Sequence, residues 1–220
     1  MHGLISYFQA VVLGLVQGIA EPFPISSLGH SVILPRLAGW DIGQGDNHFI
    51  TFLVATHLAT AIVLFGFFFD DWRRILTGLW RSVRGQSDPT DVDAKLGWLL
   101  VVGTVPAGVI GLALQKPLQS LFASAVAAAA FLVLNGVLLL GFERLRTRPQ
   151  AAGLRTRPQA AAELPAGSDE PAVADARLAG LSFRQALLVG LSQAGALIPG
   201  ISRSGVSMGG GLLAGLDNED

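Results

Sequence analysis

The placement of charge along the chain most narrows what it can fold into. Charged residues make up 14% of 220, against about 25% in a soluble domain. They gather at 70–95 and 143–184 and leave long apolar runs between them. A membrane span needs about 20 such residues. Five apolar segments can be read. The first runs from Leu4 to Ala20 and stops at Glu21-Pro22-Phe23-Pro24, with a shorter stretch from Ser26 to Leu37 behind it. The second, Phe49 to Phe69, ends at Asp70-Asp71-Trp72-Arg73-Arg74. The third and fourth are Leu96 to Leu114 and Leu118 to Phe142, and the fifth, Ala186 to Leu216, is broken at Pro199-Gly200. This pattern predicts an all-α, polytopic membrane protein.

Several function classes drop out. The net charge of −1 gives no basic footprint for nucleic acid. There is no cysteine, which excludes disulfides, thiolate metal sites and a cysteine nucleophile. The start, Met1-His2-Gly3-Leu4, lacks the basic flank of a secretory signal, so the first apolar run reads as mature structure.

Residues 143–180 read as a flexible cytoplasmic linker. They carry Arg-Thr-Arg-Pro-Gln-Ala-Ala twice, at 146–152 and 155–161, and such a sequence cannot bury a core. Its arginines suit contact with anionic lipid head groups.

Lysine and arginine placement sets the expected orientation. The loop after the second run holds Arg73, Arg74, Arg81 and Arg84. The next holds Lys116 alone, and the linker holds Arg144, Arg146, Arg148, Arg155 and Arg157. Rich, poor, rich predicts three spans, 49–69 inward, 96–114 outward and 118–142 inward. Residues 4–37 then begin and end outside, as a re-entrant helix–loop–helix.

Shifted by 176 positions, the first and fifth segments align. Ala10, Gly14, Leu15, Gln17, Ala20, Ile25, Ser26 and Gly29 match Ala186, Gly190, Leu191, Gln193, Ala196, Ile201, Ser202 and Gly205. Three spans between the copies reverse the second. Residues 1–142 thus read as one repeat and 181–220 as the start of another. Two oppositely directed broken hairpins mark an inverted repeat with a midplane site.

The polar residues fall at the two breaks. Gln17 and Glu21 are four apart, on one helix face, and Pro22 and Pro24 stop that helix. Ser26 and Ser27 can cap the next one, whose free N–H groups suit an anion. His30, one turn on, can face the same way. The second break offers Gly200, Ser202, Arg203, Ser204, Gly205 and Ser207. Arginine matches phosphate oxygens in bidentate fashion, and at membrane depth it needs an anionic partner. Plainer readings stand beside these: a structural Glu21–Arg203 ion pair, serines that only cap helices, and His30 as a core histidine. His48 reads as a loop residue, His57 as a helix-packing residue, and Phe65–Phe69 as lipid-facing or packed bulk.

Two stretches carry a family resemblance. Gln17-Gly18-Ile19-Ala20-Glu21-Pro22-Phe23-Pro24-Ile25-Ser26-Ser27-Leu28-Gly29-His30 and Pro199-Gly200-Ile201-Ser202-Arg203-Ser204-Gly205 resemble the two motifs of the undecaprenyl-diphosphate phosphatase, or bacitracin-resistance protein, family. The resemblance covers 1–142 and 181–220. Ser207 stands where the family usually has Thr, Gln17 where some members have Glu, and Leu28 where many have a hydroxyl. The family pattern also implies further C-terminal helices, so the second repeat is expected to be truncated after Asp220.

The resemblance implies hydrolysis of undecaprenyl diphosphate at a bacterial inner membrane, dependent on a divalent cation, Mg²⁺ or Ca²⁺. Expected catalytic residues are Glu21, Ser27 as nucleophile with Ser26 as fallback, His30 as general base or later acid, and Arg203. Ser26, Gly200, Ser202, Ser204, Gly205 and Ser207 are expected to bind the diphosphate, and Glu21 with Gln17 the metal. Direct attack by water stays open. Expected partners are the polyprenyl diphosphate and membrane lipids, without nucleic acid, and a homodimer is left open. The alternative is an inverted-repeat transporter or flippase of an anionic lipid or solute.

Overall fold

The computed structural model describes residues 5–43, 46–88, 90–122, 124–147 and 170–213. Its elements are α1 (Tyr7–Ala20), α2 (Ser27–Leu37), α3 (Asn47–Phe67), α4 (Phe69–Val83), α5 (Val92–Ala113), α6 (Gln115–Phe122), α7 (Ala125–Thr147), α8 (Glu170–Ala179), α9 (Phe183–Ala194) and α10 (Arg203–Leu213), with a 3₁₀ turn at Gly195–Leu197. No β-strand occurs among the described residues.

Among the described residues, three helices are long and apolar enough to cross a membrane: Asn47–Phe67, Val92–Ala113 and Ala125–Arg144, with mean hydropathy of 2.0, 2.0 and 2.3. At about 1.5 Å per residue each matches a hydrocarbon core of about 30 Å. Between 11% and 17% of each apolar window is buried inside the protein, so most of that surface faces outward. This is how an all-α membrane protein exposes apolar side chains.

α1–α2 and α9–α10 form two helical hairpins. α1 opens with a capping box in which Gln9 N–H donates to Ser6 Oγ (3.3 Å) and Ser6 N–H donates to Gln9 Oε1 (2.9 Å). α9 opens with the same box, Gln185 N–H to Ser182 Oγ (3.3 Å) and Ser182 N–H to Gln185 Oε1 (2.9 Å). Each box satisfies two donors that a helix start leaves free. The second arms also share a cap: Gly29 N–H donates to Ser26 Oγ and Gly205 N–H to Ser202 Oγ, both at 3.3 Å. All these pairs stand 176 residues apart.

The core gathers Leu13, Val32, Ile42, Phe49, Leu53 and Ala128, from α1, α2, the turn after α2, α3 and α7. α9 lies across α5 through two glycines. A Cβ on Gly190 would sit 2.2 Å from the Gly103 carbonyl oxygen. Such small-residue contacts let apolar helices associate by close backbone packing.

Three sequence expectations change. The arginine-rich stretch after the second run is helix, not loop. In α4, Asp70 and Asp71 occupy the first turn and Arg81 the last, as the helix dipole favours, and Trp72, Leu76 and Trp80 stay exposed. The span expected from Leu118 starts later, because α6 is a separate short helix. α7 restarts behind Ser124, whose Oγ accepts from Ala127 N–H at 3.2 Å.

The third change concerns the expected linker, which is helical at both ends. α7 runs to Thr147 and α8 covers Glu170–Ala179. α8 is anchored by a hydrogen-bonded ion pair between Asp175 and Arg74 and by buried Ala176. Arg74 also lies 3.4 Å from Asp93 and 3.6 Å from Asp71. Its pKa is raised further above its usual high value, chiefly by the bond to Asp175. From Arg148 on, the tandem duplication lies outside the described residues.

Candidate functional site

The first hairpin delivers a carboxylate with its bonds focused on one oxygen. Glu21 caps α1, its N–H donating to the Gln17 carbonyl at 3.0 Å. One helical turn back, buried Gln17 donates through Nε2 to Glu21 Oε2 at 2.9 Å. Ser27 Oγ donates to the same oxygen at 2.6 Å. This short bond is of the charge-assisted kind. The turn from Glu21 to Ile25 brings acid and serine together, and it passes through Ser26 at φ 60°, the one non-glycine with positive φ among the described residues.

His30 contacts the backbone one helical turn back, at Ser26. Its Nδ1 lies 2.8 Å from the Ser26 carbonyl oxygen, which also accepts from His30 N–H at 3.3 Å. In this state Ser27 is bonded to Glu21 and His30 to the backbone of Ser26.

The second hairpin meets the first at Gly200 and Gly29. A Cβ on Gly29 would lie 3.0 Å from Gly200 Cα. Gly200 has φ +101°, and a Cβ there would stand 2.5 Å from the Ala128 carbonyl. Only glycine satisfies both the dihedral and the space. Buried Ser202 donates its N–H to Asn135 Oδ1 at 2.9 Å, and Asn135 Nδ2 donates to the Pro24 carbonyl at 3.1 Å. One amide on α7 therefore ties both breaks together. Ser204 Oγ donates to the Glu21 backbone carbonyl at 3.5 Å.

Glu21 and Arg203, from different hairpins, line the same two cavities. No ion pair joins them among the described residues, so the plain structural pairing is not what the fold makes. The smaller cavity, of about 50 Å³, is polar, with Ser26, Ser27, Ser202 and Ser204 around the acid and the guanidinium. The larger, of about 570 Å³, follows α3 from Ile50 to Leu64 and is mostly apolar. Gly205 is buried behind the cap of α10 and borders a third, apolar groove beside α7. Neither His30 nor Ser207 lines either of the first two cavities.

His57, expected only to pack, lines the larger cavity, with Nε2 3.7 Å from Glu21 Oε2. Its Nδ1 lies 2.8 Å from the Leu53 carbonyl. It stands midway along the 21-residue α3, which places Glu21 near mid-span. Sequence reading missed His57 and Asn135. Both signals were present: His57 is the one ionisable side chain in the interior of α3 and Asn135 the one amide inside α7, in runs long enough to span, where polar groups need partners.

The donor set accommodates a divalent cation in part. Gln17 Oε1 is buried with no hydrogen-bond partner. The hydrogen bonds to the Glu21 side chain converge on Oε2, so Oε1 is the oxygen a cation would take. No group of three or more His, Cys, Asp and Glu that could hold a metal occurs among the described residues. A hard cation here would draw its remaining oxygens from water and a phosphate ligand, as Mg²⁺ sites commonly do.

Several known proteins are similar to this chain. The undecaprenyl-diphosphatase of Mycolicibacterium paratuberculosis (strain ATCC BAA-968 / K-10) is 43% identical, covering 100% of this chain and 72% of its own length. That of Mycobacterium avium (strain 104) is 42% identical, with the same coverage. Undecaprenyl-diphosphatase 1 of Frankia casuarinae is 46% identical over 67% of this chain, and the chain spans only 41% of that relative. The family model described as "Bacitracin resistance protein BacA" matches residues 10–220, and the chain therefore belongs to the BacA family.

Proposed function

We propose that the protein hydrolyses undecaprenyl diphosphate to undecaprenyl phosphate and inorganic phosphate, in the inner membrane of a bacterial cell. The observation that carries this reading is the shared polar cavity. Glu21 and Ser27 reach it from one hairpin and Arg203 from the other, and it adjoins an apolar trough along α3. A diphosphate head on a long hydrocarbon tail needs that combination. The hairpins then enter the bilayer from opposite sides and meet at mid-depth.

Ser27 attacks the terminal phosphorus. Its Oγ–H proton passes to Glu21 Oε2, already its hydrogen-bond partner at 2.6 Å, so the carboxylate acts as base. The bond from phosphorus to the bridging oxygen breaks, and the lipid monophosphate leaves with the electron pair. Arg203 stabilises charge on the transferred group, with the Ser202 and Ser204 hydroxyls as further ligands. Water then cleaves the phosphoserine, releases phosphate and returns Ser27 to its hydroxyl form. His30 holds the Ser26 carbonyl and so keeps Ser27 aimed. Glu21 and Gln17 Oε1 would hold the divalent cation, Mg²⁺ or Ca²⁺. When bound, that ion supplies neutralisation of the diphosphate charge.

The test is phosphate release from undecaprenyl diphosphate by the full chain in detergent. Arg203→Ala should lower kcat by about 10²–10³, the usual effect of removing one transition-state donor, and Glu21→Gln by about 10²–10⁴, the scale of losing a general base. Normal rates in both variants would overturn the assignment. A transporter would need two compartments to show any activity, whereas hydrolysis needs none.

A further inference from the structure

A separate apolar groove lies away from Glu21, between α5 and α9. The two helices run side by side in one direction. The Lys95 ammonium sits 4.8 Å from the centre of the Phe183 ring. Further along, a Cβ on Gly190 would meet the Gly103 carbonyl, and a Cβ on Gly111 would lie 3.6 Å from the Leu197 methyls. Leu96, Leu99 and Gly103 line the groove from α5, Ala186 and Val189 from α9, and Leu181 from the turn between α8 and α9. Its polar members, Thr104 and Gln193, come last along both helices, so the length nearest Lys95 and Phe183 is apolar. From Leu96 to Thr104, α5 rises about 12 Å. The groove holds about 180 Å³, below the roughly 300–1,000 Å³ of sites that enclose a drug-sized ligand. A single hydrocarbon chain suits that space. No lining residue is shared with the two cavities at Glu21.

The groove begins at a charge that no acid neutralises. Two acids stand in the turn before it, and both are taken: Asp91 accepts from Arg81 at 3.0 Å, and Asp93 lies 3.4 Å from Arg74. Half-buried Lys95 forms no ion pair among the described residues. It stands one helical turn before Leu99, on the face that lines the groove. The Phe183 ring attracts its ammonium but leaves the charge in place. Exposed Arg184, next to Phe183, likewise forms no ion pair among the described residues. We propose that this groove binds one anionic phospholipid of the leaflet at which α5 begins, with an acyl chain between α5 and α9 and the head-group phosphate on Lys95. Arg184 adds a second positive charge at the same end. Lysine and arginine beside a span draw lipids of net negative charge, whereas the choline of phosphatidylcholine cancels its own phosphate. The site stands apart from the hydrolytic one and does not depend on that reading.

The experiment mixes the full chain in detergent with equal amounts of phosphatidylglycerol and phosphatidylcholine of the same acyl chains. Native mass spectrometry then counts the lipids retained. The wild type should keep one phosphatidylglycerol, preferred by about 5-fold, the scale of one basic residue at an anionic head group. Lys95→Gln should lose that preference, and Lys95→Arg should keep it because the charge stays. Phosphatidylglycerol with a photoreactive group on its acyl chain should label the wild type within residues 96–104 and 186–193. Equal retention of the two lipids by the wild type would overturn the proposal. A preference that survives Lys95→Gln would do the same, as would labelling confined to other segments. Undecaprenyl phosphate that displaces the retained lipid at equal concentration would hand the groove to the polyprenyl class and also overturn it. The competition and labelling arms need no substitution, so misfolding of a variant cannot mask the answer.

Discussion

The two hairpins use the same scaffold and divide the chemistry between them. Both open with a Ser–Gln capping box, and both begin their second arm with a serine whose Oγ accepts from a glycine amide three residues on. At equivalent positions the first carries Glu21 and Ser27, and the second carries Leu197 and Arg203. Ser27 and Arg203 each occupy the first residue of a helix. A cation at that end opposes the helix dipole, by about 0.3–1 kcal/mol for an exposed group. Arg203 is exposed and not ion-paired with Glu21 among the described residues. An incoming anion would reverse that penalty, because it would sit between the guanidinium and the N–H groups behind it. The two breaks thus share what makes them fold, while one brings a carboxylate and the other a guanidinium to the cavities they both line.

The hairpins also differ in what their first arms touch, and this gives the largest expected effect on stability. Gly190 meets the backbone of Gly103, whereas its repeat mate Gly14 has nothing within 4 Å of a built Cβ. Gly190→Ala should therefore destabilise by about 3 kcal/mol, the upper end for overpacking, because the obstructing atoms are backbone and cannot rotate away. Gly14→Ala should be neutral or stabilising by up to about 1 kcal/mol from helix propensity. Unfolding in a denaturing detergent titration measures both. Equal effects would remove the asymmetry between the arms.

Asn135 joins what the repeat separates. Its Oδ1 accepts from Ser202 of one break and its Nδ2 donates to Pro24 of the other. Asn135→Ala would strand a buried N–H and a carbonyl, at about 1–3 kcal/mol for such groups. It should also let the hairpins drift apart, so turnover should fall more than stability alone accounts for. A variant with the expected loss of stability but an unchanged kcat would show that the breaks hold their registration without α7.

How far the sequence carries the site depends on the range of the interaction. The Gln17–Glu21 pair was legible because helical spacing fixes it locally. The three spans were legible because lipid demands long apolar runs. α4 was not, since its arginines and tryptophans read equally as a charged loop until Asp175 and Asp93 pair with Arg74. His57 and Asn135 were visible as an imidazole and an amide inside apolar runs, but which break each one faces depends on how α3 and α7 are rotated. The Ser27–Glu21 bond required the backbone turn at Ser26, whose positive φ no residue-type preference announces.

The caps provide the finest test of equivalence. Ser6 and Ser182 make the same two backbone-to-side-chain bonds with the same distances to Gln9 and Gln185, and Ser182 Oγ donates one more, to Gln185 Oε1 at 2.7 Å. Loss of an N-cap hydroxyl costs about 1 kcal/mol, so Ser6→Ala and Ser182→Ala should each destabilise by about that amount, Ser182→Ala by the larger share because its hydroxyl makes the additional bond. Their effects should add in the double variant, because nothing is shared between the two boxes and distant sites are independent to within about 0.5 kcal/mol. Phosphate release should be untouched in both, because each cap sits at the far end of its first arm from the break. If only one substitution lowers stability, the first arms are not energetic equivalents, and the matching residues at their starts would reflect common sequence without common structural duty.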